Sequence, residues 1–402
     1  MKEGSSDMAD VVRAIVDAVA KEGIEAALAF TRDFDGVEMS PQEVLWNPLE
    51  WEGEQPETRV REAIDYAMDR IRAFHRAARP EPLVLPSEGG LTLEEQFVPL
   101  QRVGLYVPNG NYPLISSLLM TAIPAQEAGV KEIVVAVSPR DDIRQSPVWL
   151  YAFQSLGIST VLRLGGAQAV AAMGYGFPGF APVDFIAGPG NRYVTQAKQE
   201  LARRGVVGID LPAGPSEVLI IANQLDLEPF VWADLLAQAE HDRDASAELI
   251  TLNPALAERI EKRRALVPEG MGQIVVTRVH SMREAVTLAN RRAPEHLGLM
   301  GDDVEGWAEE VRTAGALFIG PMAGQALGDY VAGPSHVLPT GGSGRFQSGL
   351  STRTFLRRMS VIRTTQSVDP QIFEMGARLA ELEGLTYHQR SLEVRRAALE
   401  VK

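Results

Sequence analysis

Apolar residues recur at three- and four-residue spacing through residues 7–30 and again through 57–78, the period of a helix with one buried face. Two helical stretches are therefore expected at the start of the chain. From Gly104 the texture changes to short β-branched runs at 105–107, 132–137, 160–164, 183–187 and 206–209, separated by helix-like stretches. Such alternation predicts a parallel α/β unit. A second series with the same rhythm follows at 217–221, 248–251, 273–277, 297–300 and 316–319, with helices expected at 227–241 and 281–290. Two α/β domains are implied. Beyond Gly320 the chain is rich in glycine and proline through Gly344, and it ends in a charged, mostly helical tail. That tail is too short to fold alone and is expected to pack on the rest of the chain or on a partner subunit.

Composition narrows what such a chain can do. Of 402 residues, 45% are hydrophobic and 23% charged, ordinary proportions for a globular protein with a sizeable core. The net charge of -14 argues against a nucleic-acid or anionic-membrane surface, which calls for clustered Lys and Arg. No apolar stretch reaches membrane-spanning length, and a cytoplasmic enzyme acting on small molecules is expected. There is no cysteine, which removes disulfides, thiolate metal sites and thiol nucleophiles together. Any aldehyde oxidation here would run through water rather than a thiohemiacetal.

Candidate ligand turns lie at strand ends. No Gly-x-Gly-x-x-Gly follows the first strand, so the common dinucleotide fingerprint is missing. Gly165-Gly166-Ala167-Gln168 and Gly188-Pro189-Gly190-Asn191 each follow a strand and open a helix, an arrangement that favours anions and close backbone approach. The same turns also serve merely to reverse the chain. Pro212-Ala213-Gly214-Pro215-Ser216-Glu217 joins the two α/β series, where ligands commonly lie, although a rigid connecting turn accounts for it as well.

Six histidines occur. His75, in a charged helical stretch, and His280, before a helix start, read as surface or capping residues. Gln238 and His241 are three apart on an expected helix, a spacing that suits two metal ligands; His241 equally suits a helix C-terminus. Asp329 and His336 flank a loop-like segment, and Glu383 and His388 lie in the tail. Imidazole with oxygen donors suits zinc, with manganese or cobalt tolerated. No His-Glu-x-x-His helix is present, which disfavours a thermolysin-like hydrolase. Pro294-Glu295-His296 opens a strand, where it reads either as a rigid acid/base pair or as a surface pair.

Taken together, Gly165-Gly166-Ala167-Gln168-Ala169, Gly188-Pro189-Gly190-Asn191, Pro212 to Glu217, Gln238-Ala239-Glu240-His241, Ala293-Pro294-Glu295-His296-Leu297, Gly328-Asp329-Tyr330 with His336-Val337-Leu338-Pro339-Thr340, and Glu383-Gly384-Leu385 with His388 resemble the histidinol dehydrogenase family from about Gly104 onward. The resemblance implies an α/β fold of two Rossmann-like parallel-sheet domains with helical N- and C-terminal segments, in an intertwined homodimer. It divides the chain into a helical segment 1–30, a first α/β domain of 31–105 plus 218–348, a second of 106–217 on the NAD side, and a dimerising tail 349–402. It implies two successive NAD-dependent oxidations, of L-histidinol through L-histidinal to L-histidine. One zinc per subunit would be held by Gln238, His241, Asp329 and His388, the last supplied by the neighbouring subunit. NAD contacts carry over to Tyr106, Gln168 and Asn191, and substrate contacts to Ser216, Gln238, His241, His296, Asp329, His336, Glu383 and His388. In this reading His296 is the base for alcohol oxidation and Glu295 activates water for the aldehyde step. Departures from the family pattern fall at Asn109, Leu114, Ile115 and Phe185. Other readings of the same residues are a related zinc-binding dehydrogenase of another alcohol and a metal-dependent hydrolase.

Overall fold

The computed structural model describes residues 3–108, 114–140, 142–212, 214–365 and 367–400, with side chains from residue 8 to 399. Asn109 and Ala213 of the motifs above lie outside them. In chain order, α1 (Glu3–Glu22) and α2 (Ile24–Asp35) lead to β1 (Leu45–Trp46), α3 (Thr58–Ala77), β2 (Leu83–Glu88) and β3 (Leu91–Pro99). The first α/β series follows as β4 (Arg102–Val107), α4 (Ile115–Ala128), β5 (Glu132–Val137), α5 (Pro147–Ser155), β6 (Thr160–Leu162), α6 (Gly166–Tyr175), β7 (Phe185–Ala187), α7 (Arg192–Arg203) and β8 (Gly208–Ile209). The second comprises β9 (Glu217–Ala222), α8 (Glu228–Ala239), β10 (Ser246–Thr251), α9 (Pro254–Arg264), β11 (Gln273–Arg278), α10 (Met282–Arg292), β12 (His296–Met300), α11 (Asp302–Glu305), β13 (Ala316–Ile319) and α12 (Gln325–Tyr330). The chain closes with β14 (Leu356–Thr364), α13 (Pro370–Leu382) and α14 (Thr386–Glu400).

Two compact units result, residues 1–79 with 100–355 and residues 80–99 with 356–402. The larger holds two sheets. One has the order β1-β6-β5-β4-β7-β8, parallel except for the edge strand β1; the other, β11-β10-β9-β12-β13, is parallel throughout. The expected two-sheet α/β plan is present. Its strands read as unbroken apolar runs because helices cover both faces: β12 is buried along its whole length, and β9 in all but its first residue. Val12, Ile15, Val16 and Val19 of α1 join α6 and α7 in the core of the first sheet, which makes the N-terminal helices part of this unit. The apolar stretch of 7–30 is two helices, broken at Gly23 with φ 65°, a conformation that glycine adopts without steric cost.

The smaller unit contains what the apolar pattern missed. Here β14, β3 and β2 form an antiparallel sheet, and α13 and α14 pair beside each other. β14 falls inside the expected helical tail. Its signal is masked because polar residues hold much of this sheet: Arg363 reaches Glu94 at 2.8 Å and Arg358 reaches Glu95 at 3.5 Å across the strands. No described helix is long and apolar enough to cross a membrane.

Candidate active site

The turn from α10 into β12 sets the centre of the site. After Arg292, Ala293 adopts φ 49° and ψ 60°, among the described residues the one positive φ outside glycine. This left-handed step costs an L-residue about 1–2 kcal/mol, and the surrounding core holds it, since Ala293 is fully buried. Pro294 follows, and Glu295 and His296 enter β12 buried, at 6% and 4% exposure. They are not a surface pair. Gly315 packs so closely beside them that a Cβ there would lie 2.6 Å from the Glu295 carbonyl oxygen.

Both side chains are oriented by the main chain of Glu217, at the start of the neighbouring strand β9. Its N–H donates to Glu295 Oε2 at 2.8 Å, and its carbonyl oxygen lies 3.1 Å from His296 Nδ1. Nδ1 also lies 3.6 Å from Glu295 Oε2. On the far side of the ring, Nε2 lies 3.5 Å from Asp329 Oδ1, and the Phe318 ring packs with its centroid 5.7 Å from that of the imidazole. Burial pushes the Glu295 carboxyl up to about 7, the range in which a carboxylate can trade protons at neutral pH. Burial disfavours charge on His296, but Asp329 and Glu295 outweigh it and the imidazole is raised above its ordinary value. Burial also opposes charge on Asp329, yet His296, His336 and His241 hold its carboxyl below the usual range.

Other expected residues gather around this pair. Asp329 lies on the short helix α12, next to the segment it is expected to flank. His336 places Nδ1 2.9 Å from the Asp329 carbonyl oxygen and Nε2 3.3 Å from Ser117 Oγ, near the start of α4. Its burial keeps the imidazole neutral, with its pKa lowered. Gln238 is buried on α8, where its Oε1 accepts from Gln325 Nε2 at 3.2 Å and its own Nε2 has no hydrogen-bond partner. The helix ends at Ala239, so His241 lies just beyond it and is exposed, its N–H donating to the Gln238 carbonyl at 3.3 Å. Asp234, on the same helix, is pushed up to about 6 by burial, with the Asp329 charge adding to the shift. Ser216 is half-buried immediately before β9. Glu383 caps α13 and His388 lies in the first turns of α14, both exposed and in the smaller unit. Among the described residues no three His, Cys, Asp or Glu side chains are set to hold a metal ion. The larger unit supplies Gln238, His241 and Asp329, whose amide oxygen, imidazole and carboxylate are donors zinc accepts. Gln238 Oε1 accepts from Gln325 and has a second lone pair for such a role, whereas the unpartnered Nε2 is a hydrogen-bond donor and not a ligand.

A second constellation lies at the C-terminal ends of β4 to β7, where parallel sheets generally bind ligands. A cavity of about 540 Å³ is lined there by Tyr106, Gly166, Gln168 and Asn191, together with Asp35 and Arg140. All three residues expected to contact a cofactor thus share one pocket. The Tyr106 hydroxyl accepts the Gly166 N–H at 3.0 Å, and Asn191 Oδ1 caps α7 by accepting from the N–H groups of Tyr193 and Val194. Gly188, at φ 112°, approaches β4 so closely that a Cβ would sit 2.2 Å from the Tyr106 carbonyl oxygen. Beneath this turn the buried Lys198 donates to the carbonyls of Gly188 and Leu211 and pairs with Asp210, tying the turn to the segment that leads into Ser216.

Several participants escaped the sequence reading. Glu217 stood in a recognised motif, but its service to both Glu295 and His296 is made by backbone atoms, which carry no residue-type signal. Ser117, Phe318 and Gln325 are of common type, and only folding places them here. His75, expected on the surface, is fully buried, with neither ring nitrogen hydrogen-bonded. Its helical stretch is charged on both flanks, which hid the inward face.

The chain matches the family model described as histidinol dehydrogenase over residues 1–396. It is 42% identical to histidinol dehydrogenase of Thermus thermophilus over 399 residues, covering 96% of this chain and 94% of that protein. Identity to histidinol dehydrogenase of Caulobacter vibrioides is 40% over 402 residues, covering 97% and 93%. Among solved structures, histidinol dehydrogenase from Elizabethkingia anophelis superposes with a TM-score of 0.87 at 30% identity, covering 97% of this chain and 92% of that one. An NAD-dependent aldehyde dehydrogenase from Sinorhizobium meliloti aligns at a TM-score of 0.51 and 15% identity over 89% of this chain and 87% of that one. That likeness is one of fold alone.

Proposed function

The chain belongs to the histidinol dehydrogenase family and is an NAD-dependent oxidoreductase, and from that premise we propose that Glu295 and His296 divide its two oxidations between them. The observation that carries this division is the shared anchor at Glu217. With Nδ1–H donated to the Glu217 carbonyl, the neutral imidazole presents Nε2 as its basic atom. Nε2 takes the hydroxyl proton of L-histidinol as hydride leaves its carbinol carbon for NAD. Glu295 has one oxygen committed to the Glu217 N–H and uses its carboxylate to deprotonate water adding to L-histidinal. The hydrate then loses a second hydride to a second NAD, yielding L-histidine. With no thiol in the chain, this water route is the available one.

Tyr106, Gln168 and Asn191 are proposed to bind NAD in the cavity they line, with the N-terminus of α6 toward its phosphates. Ser216, Gln238, His241, His296, Asp329 and His336 would bind the substrate. Zinc would be held by Gln238, His241 and Asp329 with His388, where it would anchor the substrate's imidazole and amine and screen the Asp329 carboxylate. His388 and Glu383 are proposed to come from the second subunit of a homodimer. Leu382 and Tyr387 beside them are 83% and 85% exposed, an apolar exposure that suits a covered interface. The enzyme is proposed to act in the cytoplasm, in keeping with a chain that carries no cysteine.

A steady-state assay of L-histidinol with NAD, before and after chelation, tests the reading. Two NADH per L-histidine, lost on chelation and restored by zinc, are expected. Turnover of another alcohol in preference to L-histidinol would overturn the substrate assignment, and full activity in a metal-free sample would overturn the zinc.

A further inference from the structure

Asp35 is a charged group in the cofactor cavity to which that reading assigns no role. It closes α2, with a side chain only 7% exposed. Its Oδ1 accepts from Arg140 Nε at 3.0 Å and from Ser138 Oγ at 3.2 Å, and its Oδ2 accepts from Gln168 Nε2 at 3.2 Å. Arg140 in turn donates Nη2 to the Phe34 carbonyl at 3.1 Å. The acid is thereby held to the end of its own helix and cannot swing away from Gln168.

A primary amide offers a donor at one end and an acceptor at the other, whereas a carboxylate only accepts. Asp35 therefore selects one of the two amide orientations of Gln168. Nitrogen faces the acid, and Oε1 turns toward Gly166, where a Cβ would lie 2.7 Å from it. Gly166 begins α6, so the selected orientation sets an acceptor beside the N–H groups that open the helix. A buried polar pair of this kind is retained at a cost unless it is satisfied, and here each partner satisfies the other.

The geometry points to Asp35 as a positioning residue of the cofactor pocket: it fixes the Gln168 amide so that a dinucleotide meets a single arrangement of donor and acceptor. The inference rests on the assignment of NAD to this cavity. It assigns Asp35 no contact with the reacting atoms.

The test is a double-mutant cycle in the full-length enzyme. Asp35→Ala raises KM for NAD about tenfold, the scale of a lost hydrogen bond to a charged group, while kcat at saturating NAD and KM for L-histidinol stay within about twofold. Gln168→Ala raises KM for NAD as well, and the double variant is no worse than Gln168→Ala alone, because the two residues act as one unit. Multiplied effects in the double variant, or an unchanged KM in Asp35→Ala alongside a raised one in Gln168→Ala, overturn the inference and leave the cofactor assignment standing. An unchanged KM in Gln168→Ala overturns the assignment of NAD to this cavity. Asp35→Leu, which keeps the branching and heavy-atom count of aspartate but has no acceptor, replaces the alanine variant if that fails to fold, with the same expectation.

Discussion

The carbonyl oxygen of Glu217 lies 3.1 Å from Nδ1 of His296, and the backbone of one strand thereby decides which imidazole nitrogen of the next is left basic. If His296 serves only the alcohol step, His296→Ala slows L-histidinol oxidation by roughly 10²–10⁴ yet spares most of the oxidation of supplied L-histidinal. Glu295→Gln does the reverse, giving a burst of one NADH per site from L-histidinol before the rate collapses. Rapid-mixing measurements of NADH from each substrate decide the matter; equal losses in both steps for both variants would remove the division of roles.

Glu295 is kept at a cost in stability. Its folded pKa, pushed up to about 7 by burial, exceeds the unfolded value near 4.5, so its contribution is fully present below the unfolded value and is lost as pH rises through 7. Glu295→Gln should thus be more stable than the parent at pH 8, by up to about 3 kcal/mol, with the difference shrinking as pH falls to 5. Denaturant unfolding at the two pH values measures it.

Gly315 bears on the same carboxyl through the backbone. A methyl group at 315 would lie 2.6 Å from the Glu295 carbonyl oxygen and 3.1 Å from the Pro339 ring, so Gly315→Ala must shift the start of β12. A displacement approaching 1 Å at reacting groups costs about 10² in rate. We expect kcat to fall by that order with KM for NAD little changed. A variant with parental kcat would show that the site tolerates the shift.

Acid lability should originate in part at His75. Burial lowers its pKa to about 4, below the unfolded value near 6.5, so the stability it contributes is present above 6.5 and is lost as pH falls through 4. His75→Leu removes the titration and two unsatisfied buried nitrogens. It should raise Tm, and by more at pH 5 than at pH 8. A Tm advantage that does not grow on acidification would contradict the assignment.

The sequence by itself determined the two parallel sheets, because strands covered on both faces must be apolar throughout and helices must lie between them. It also marked the turns at Gly166, Gly188 and Asn191 and the pair Glu295-His296, whose residue types carry their chemistry openly. Tertiary structure decided the rest. Glu295 and His296 read equally well as surface charge until the left-handed turn at Ala293 and the close packing of Gly315 buried them. The β2, β3 and β14 sheet was hidden because ion pairs such as Arg363 with Glu94 hold strands that a polar pattern does not announce. The atoms of Glu217 that orient Glu295 and His296 belong to the main chain, which every residue possesses. Asp35 and Gln168 lie 133 positions apart. Their pairing follows from how helices cover a sheet, a relationship that local periodicity does not contain.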